Sequence, residues 1–163
     1  MPKIKAIAMD VDGVLTDGSV WWGPEGQEWK RFHFADIMGL SIARKSGLAI
    51  ALISGENSPL VDRLASKLGI EDVYKDCKDK AGALRTFAKR HGLRLEEICF
   101  IGDDVNDLPV LTIVGLSACP ADARRSVRTV CQIVTGLGGG NGAVREVVDM
   151  LLETAKTAAT LVH

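Results

Sequence analysis

"IAMDVDGVLTD", residues 7–17, sets Asp10 and Asp12 at the end of an apolar run and follows them at once with Gly13. Ile7, Ala8 and Met9 read as part of a buried strand, so the two carboxylates emerge where that strand leaves the core. Residues two apart in extended chain point to one side, and both carboxylates can therefore address one centre. Close carboxylates repel each other unless something cationic lies between them. The stretch points to a metal, a phosphate-handling site, or both.

Working outward, the same design recurs. "IKAIAMDV" (4–11), "LAIALIS" (48–54), "EICFIGD" (97–103) and "GLSACP" (115–120) read as strands that are apolar nearly throughout. Helix-period segments alternate with them near 36–46, 58–68, 79–92, 106–113 and 143–152. Pro59 suits a first helical position, and Gly47 and Gly69 stand where helices should stop. Apolar strands alternating with helices imply a parallel sheet covered on both faces, a three-layer α/β fold. One segment breaks the pattern: "GSVWWGPEGQEWKRFHF" (18–34) has two β-prone runs around Gly23-Pro24-Glu25-Gly26 and reads as a β-hairpin. An exposed aromatic hairpin needs a partner surface, either its own sheet or, the favoured reading, another subunit.

The composition narrows the function. A chain of 163 residues suits one domain spanning 1–163, with a flexible tail expected from about 153. With 47% hydrophobic and 25% charged residues and a net charge of −1, it offers no basic field for nucleic acid. No run approaches the roughly 18 apolar residues of a membrane helix. "MPKIKAIAMD" lacks the apolar core and cleavage site of a secretory leader. Cys77, Cys99, Cys119 and Cys131 are widely spaced and read as reduced core thiols of a cytoplasmic protein. His33, His91 and His163 read as surface or packing residues.

In an open parallel sheet, ligands bind outside the carboxyl ends of the strands. The first strand delivers Asp10 and Asp12 there, and the second delivers Ser54-Gly55-Glu56, a hydroxyl and a close backbone N–H suited to a phosphate oxygen. A further strand delivers "GDDVND" with Asp103, Asp104 and Asp107, and Lys80 opens a helix whose free N–H groups attract anions.

Asp10-Val11-Asp12-Gly13-Val14-Leu15-Thr16-Asp17, Ser54, Lys80 and Gly102-Asp103-Asp104-Val105-Asn106-Asp107 together resemble the four-motif signature of the haloacid dehalogenase-like phosphatases, along essentially the whole chain. The hairpin residues Gly26, Glu28, Lys30 and Phe32, and the run Gly139 to Glu146, resemble the small capless branch that acts on phosphorylated 2-keto-3-deoxy sugar acids. The resemblance implies a Rossmann-like sheet with a small β-hairpin in place of a cap domain. It implies Asp10 as nucleophile, Asp12 as general acid and base, and Mg²⁺ held by Asp10, the backbone carbonyl of Asp12, and Asp103. Ser54, Gly55 and Lys80 would hold the phosphoryl oxygens, with Asp104 and Asp107 in support behind the metal ligands.

Only residues 18–53 separate the first two motifs, too few for a cap. The resemblance therefore implies a homotetramer, held by the hairpins, whose subunits share active sites. Gly136 to Gly142 reads as a mobile tail reaching an active site, the alternative being a flexible connector. Glu56 stands where the octulosonate 8-phosphate branch typically has Arg, and so resembles the branch acting on the nine-carbon 2-keto-3-deoxy-nonulosonate 9-phosphate. Arg63 and Lys67, at the edge of a helix whose buried stripe should be Leu60, Leu64 and Leu68, are then candidates for the carboxylate of a substrate held by a neighbouring subunit, the alternative being a solvated basic face. The rival readings are a receiver domain and a non-catalytic oligomerisation module associated with a sugar-acid cytidylyltransferase. The first fails because the corresponding strand ends in Ser54 and not in an acceptor aspartate; the second predicts a lost nucleophile or metal ligand.

Overall fold

A computed structural model describes residues 2–161. Strand β1 (Ala6–Met9) is buried at every residue because it pairs in parallel on both edges, with β4 (Ala49–Ile53) and β6 (Ile98–Ile101). β5 (Asp72–Tyr74) lies outside β4, while β7 (Leu116–Cys119) and β8 (Ile133–Val134) follow β6, giving the parallel order β5-β4-β1-β6-β7-β8. The chain thus winds outward from β1 on one side and then returns to build the other. Such a reversal opens a crevice at the carboxyl ends of the central strands. β5 and β8 were not legible in the sequence, because three residues beginning with an aspartate and two residues carry no apolar run.

Side-chain alternation gives the sheet two unlike faces. Ile7 and Met9 of β1 point with Leu52, Cys99 and Ile101 toward α1 (Phe34–Lys45), α2 (Pro59–Leu68) and α6 (Ala143–Leu161). Ala6, Ala8 and Ala51 point the other way, and their small size admits Leu84 and Phe87 of α3 (Lys80–Arg90), packed with Phe100. The same layer includes α4 (Leu108–Leu111) and α5 (Arg125–Val130). Fully burying each large aliphatic or aromatic side chain contributes about 1.5–3 kcal/mol, so both faces are needed to offset chain entropy.

Local signals mostly act as read. Ser58 caps α2 with its hydroxyl and Gly69 ends it in the left-handed conformation. The buried stripe of α2 is Val61, Leu64, Ala65 and Leu68; Leu60 is only half-buried, since the sheet meets the helix one residue further round. His33 accepts the Ala35 N–H and caps α1, and His91 pairs with Asp72 at 2.8 Å. His163 lies outside the described residues. The expected tail is helical as far as Leu161: residues 153–161 continue α6 with exposed side chains, in a stretch rich in good helix formers. All four cysteines are free thiols. No described helix is long and apolar enough to cross a membrane.

The segment between Asp17 and α1 forms a short antiparallel hairpin, β2 (Trp21–Trp22) with β3 (Glu28–Trp29). Trp21, Trp22 and Trp29 remain exposed, as do Phe34 and Met38 of α1.

The glycine-rich segment departs from its expected reading. Gly139 and Gly140 pack on the backbone of the 13–17 loop of their own chain, and Gly140 N–H donates to the Val14 carbonyl. A Cβ on Gly139 would lie 1.9 Å from the Gly13 carbonyl oxygen, so only glycine lets the two backbones approach. Asp122 accepts from Gly139 N–H, Asp36 from Gly142 and Arg145 N–H, and Glu146 from Gly136 and Leu137 N–H. Three carboxylates thus hold as an ordered strap a segment whose composition reads as loose.

Candidate active site

Asp10 leaves β1 only 6% exposed, with its Oδ1 accepting the Val11 N–H. Lys80, the first residue of α3, lies behind it: its ammonium is 2.9 Å from Asp10 Oδ2 and 2.8 Å from Asp107 Oδ1. Asp107 is wholly buried and also accepts the N–H groups of Asp103 and Asp104 through Oδ2. Its carboxylate thus accepts three bonds. Burial opposes the charge on Lys80, but Asp10 and Asp107 outweigh it and hold the ammonium above its ordinary value.

Asp103 is the counterpoint. It leaves β6 beside Asp10 and Asp107, the three offering oxygens within 4.8 Å of one another, and its Oδ1 is buried with no hydrogen-bond partner among the described residues. Burial pushes its carboxyl up to about 8, and Asp10, Asp107 and Asp104 add to the rise. Asp10 is pushed up to about 7 by burial and by Asp107, against the pull of Lys80. An orphaned buried oxygen among crowded carboxylates is the donor set of a hard divalent cation, and Asp10 with Asp103 fits Mg²⁺.

Asp12 turns elsewhere. Its Oδ1 lies 2.8 Å from the Lys30 ammonium, which the hairpin brings in from β3 and which also lies 3.2 Å from Glu28. Directly after Asp12, Gly13 adopts φ +83°, and a Cβ there would lie 1.9 Å from Asp103 Oδ2. Glycine is required by conformation and by space alike.

Ser54 is buried at the end of β4, its hydroxyl accepting the Glu56 N–H at 3.1 Å. Gly55 and Glu56 line a pocket of about 260 Å³ together with Asp10, Asp12 and Asp103. Arg63 and Lys67 do not line it. They flank a separate cleft with Lys30, Phe32 and Phe34, because the face of α2 that carries them looks toward the hairpin. Asp104 sits at the pocket rim, paired with Arg124 at 3.3 Å. Lys30 and Arg124 were not singled out as site residues from sequence. Both lie far along the chain from the groups they meet, and only the motif position of Lys30 marked it.

The family model for haloacid dehalogenase-like hydrolases matches residues 49–146. The 3-deoxy-D-manno-octulosonate 8-phosphate phosphatase of Escherichia coli (strain K12) is 38% identical over 150 residues, 92% of this chain and 80% of that protein. The chain belongs to the haloacid dehalogenase-like hydrolases. Among solved structures, the fold is similar to the 3-deoxy-D-manno-octulosonate 8-phosphate phosphatase of Moraxella catarrhalis in complex with magnesium, phosphate and KDO. The TM-score is 0.91 at 37% identity, covering 98% of this chain and 94% of that one. The cobalt-bound deoxy-D-mannose-octulosonate 8-phosphate phosphatase of Haemophilus influenzae gives a TM-score of 0.90 at 36% identity, covering 93% and 88%. This member of the family shares their six-stranded parallel sheet with a small hairpin in place of a cap.

The raised carboxyls of this hydrolase have a thermodynamic consequence. Asp10 and Asp103 both sit above their ordinary 3.8 in the fold. The stability tied to holding these protons is fully present below that value and is lost as pH rises through about 7 and 8. A divalent cation replaces the protons. In EDTA, Tm should fall between pH 6 and 8.5, and Mg²⁺ should raise Tm more at pH 8.5 than at pH 6. Mg²⁺ affinity should tighten about tenfold per pH unit for each proton displaced. A larger Mg²⁺-induced shift at pH 6, read by calorimetry, would refute this account of the cluster.

Proposed function

We propose that this hydrolase removes phosphate from a 2-keto-3-deoxy sugar acid phosphate in a Mg²⁺-dependent reaction through an aspartyl-phosphate on Asp10. The observation that carries the reading is the juxtaposition at one crevice of Asp10, the orphaned Asp103 Oδ1 and the buried Lys80. Kinship with phosphatases of a sugar acid phosphate supports it.

Asp10 and Asp103 would hold Mg²⁺, which when bound would supply charge neutralisation for the phosphoryl oxygens. The protein's own groups do the rest. Asp10 attacks phosphorus with a carboxylate oxygen, since each keeps a lone pair beyond its bond to Val11 N–H or to Lys80. Asp12 gives the leaving alcohol its proton and later takes one from water. Lys80 orients Asp10 and favours its anionic, attacking form against the burial that raises its carboxyl, while Gly55 N–H and the Ser54 hydroxyl are the near donors for a phosphoryl oxygen. That hydroxyl already accepts the Glu56 N–H, so its own hydrogen remains available. The idle oligomerisation module is disfavoured, since neither a nucleophile nor a metal ligand is missing.

A pocket of about 260 Å³ is smaller than most small-molecule sites, which run about 300–1,000 Å³. It suits a phosphoryl group and its nearest carbons, so the rest of the substrate needs a further wall. A neighbouring subunit in a homotetramer joined through Trp21, Trp22 and Trp29 would supply it, and the exposure of those rings supports this. Light scattering that returned a fully active monomer would rule it out.

For the substrate's identity we favour the nine-carbon nonulosonate 9-phosphate, because Glu56, which resembles that branch, lines the pocket and suits sugar hydroxyl donors, whereas an Arg would draw in the carboxylate that both acids carry. The names of the relatives favour the eight-carbon octulosonate 8-phosphate instead. Phosphate release from both esters, with and without Mg²⁺, tests the reaction. The ratio of kcat/KM values then tests the choice: wild type should prefer the nine-carbon acid by about tenfold and Glu56→Arg should lose that preference, since one charged contact is worth about 1.5–3 kcal/mol. An unmutated enzyme that prefers the eight-carbon acid would overturn the assignment and leave the chemistry standing.

A further inference from the structure

Lys30 is an unusual residue for the exit of an exposed hairpin. Its side chain is 4% exposed although Trp21, Trp22 and Trp29 nearby lie open to solvent. A buried ammonium is costly unless paired, and its pairs are Asp12 Oδ1 at 2.8 Å and Glu28 Oε1 at 3.2 Å. The next residue works on the same loop from the other end. Arg31 lies 3.8 Å from Asp17 Oδ2 and donates to Asn141 of the glycine strap at 3.1 Å. Consecutive cations at the hairpin exit thus grip both ends of the loop from Asp12 to Asp17.

Asp12 needs such a grip. It follows β1 on a loop bent at Gly13, its side chain is 29% exposed, and Lys30 is its ion-pair partner among the described residues. Without that contact the carboxyl would rotate freely about its side-chain bonds, whereas Asp10 and Asp107 are held by several bonds each. The contact takes up Oδ1 and leaves Oδ2 for proton transfer.

We propose that Lys30 is a positioning residue for Asp12, so that the hairpin contributes from within the same chain the cation that orients the proton-transferring carboxyl. The inference rests on the role given to Asp12 under the proposed function. In that step a carboxylate oxygen of Asp10 bonds to phosphorus and the bond from phosphorus to the alcohol oxygen breaks. The electron pair stays on the departing oxygen, which takes the proton of Asp12. Misplacing Asp12 therefore hurts only leaving groups that need a proton. An alkoxide needs one; nitrophenolate is stable enough to depart without it.

The experiment compares kcat/KM, which reports the steps up to this cleavage, on the sugar acid phosphate and on p-nitrophenyl phosphate. Lys30→Met should lose about 10²-fold on the alkyl ester, the scale of a misplaced catalytic group, and less than about 5-fold on the aryl ester. Lys30→Gln, which keeps a donor without the charge, should fall between Met and wild type with the same bias. Asp12→Asn should show that bias more strongly, and adding Lys30→Met to it should cost nothing further on the alkyl ester. Equal losses on the two esters, as from a loosened fold, would overturn the proposal, and so would full activity of Lys30→Met on both. A wild-type enzyme inert toward both esters would overturn the functional reading and this inference with it, a result distinct from the other two.

Discussion

Asp10→Asn is expected to lower kcat by about 10⁴-fold or more while leaving the protein folded. An amide cannot supply the carboxylate oxygen that the proposed aspartyl-phosphate requires, so no phosphorylated protein should accumulate on rapid quenching. The fold should tolerate the change. An amide oxygen can still accept the Val11 N–H that Asp10 Oδ1 accepts at 2.7 Å. Removing one negative charge also relieves Asp103, whose carboxyl Asp10 helps to push up. In EDTA above pH 8 the variant should therefore melt no lower than wild type. Mg²⁺-dependent hydrolysis within tenfold of wild type would end the case for Asp10 as nucleophile, whatever the substrate.

Lys80→Met should lose both activity and stability. The substitution leaves Asp10 and Asp107 facing each other inside the protein with no cation between them. Removing one partner of a buried ion pair typically costs about 3–5 kcal/mol, which for a chain of this size means roughly 6–20 °C in Tm. The loss should be greatest above neutral pH, where Asp10, raised to about 7 in the fold, would be charged, and should shrink toward pH 5, where Asp10 holds its proton. Mg²⁺ should recover part of the stability, since a bound cation screens the same carboxylates, but not the activity. Thermal melts at both pH values with and without Mg²⁺ separate these effects. A variant that melts within about 2 °C of wild type at pH 8 would mean that Lys80 is not the cation on which this cluster depends.

The two variants probe features that differ in how openly the sequence displays them. Asp10, Ser54 and Asp103 were legible because each ends a run of buried apolar residues, and a parallel sheet delivers all such ends to one edge. Lys80 was legible as a helix start for the same topological reason. The hairpin was legible from its turn residues and β-prone aromatics, although its strands prove only two residues long. β5, β8 and α5 were not, being too short to establish a period.

The amino-acid order by itself determined the layering, the edge at which the chemistry gathers and most of the residue types gathered there. These follow from local patterns: which residues are apolar, with what period, and what stands where each run stops. The tertiary structure alone decided which charge meets which. It sends Lys80 to Asp107 as well as to Asp10, turns Asp12 toward Lys30, leaves Asp103 Oδ1 without a partner among the described residues, and sets Arg63 and Lys67 at another cleft. It also converts the glycine run from a loose tail into a strap whose missing side chains admit the backbone of the 13–17 loop. The physical reason is common to all of these. A strand end tells where a side chain emerges, but the partner of a buried charge comes from a different segment, and a shift of a single ångström in packing exchanges one partner for another.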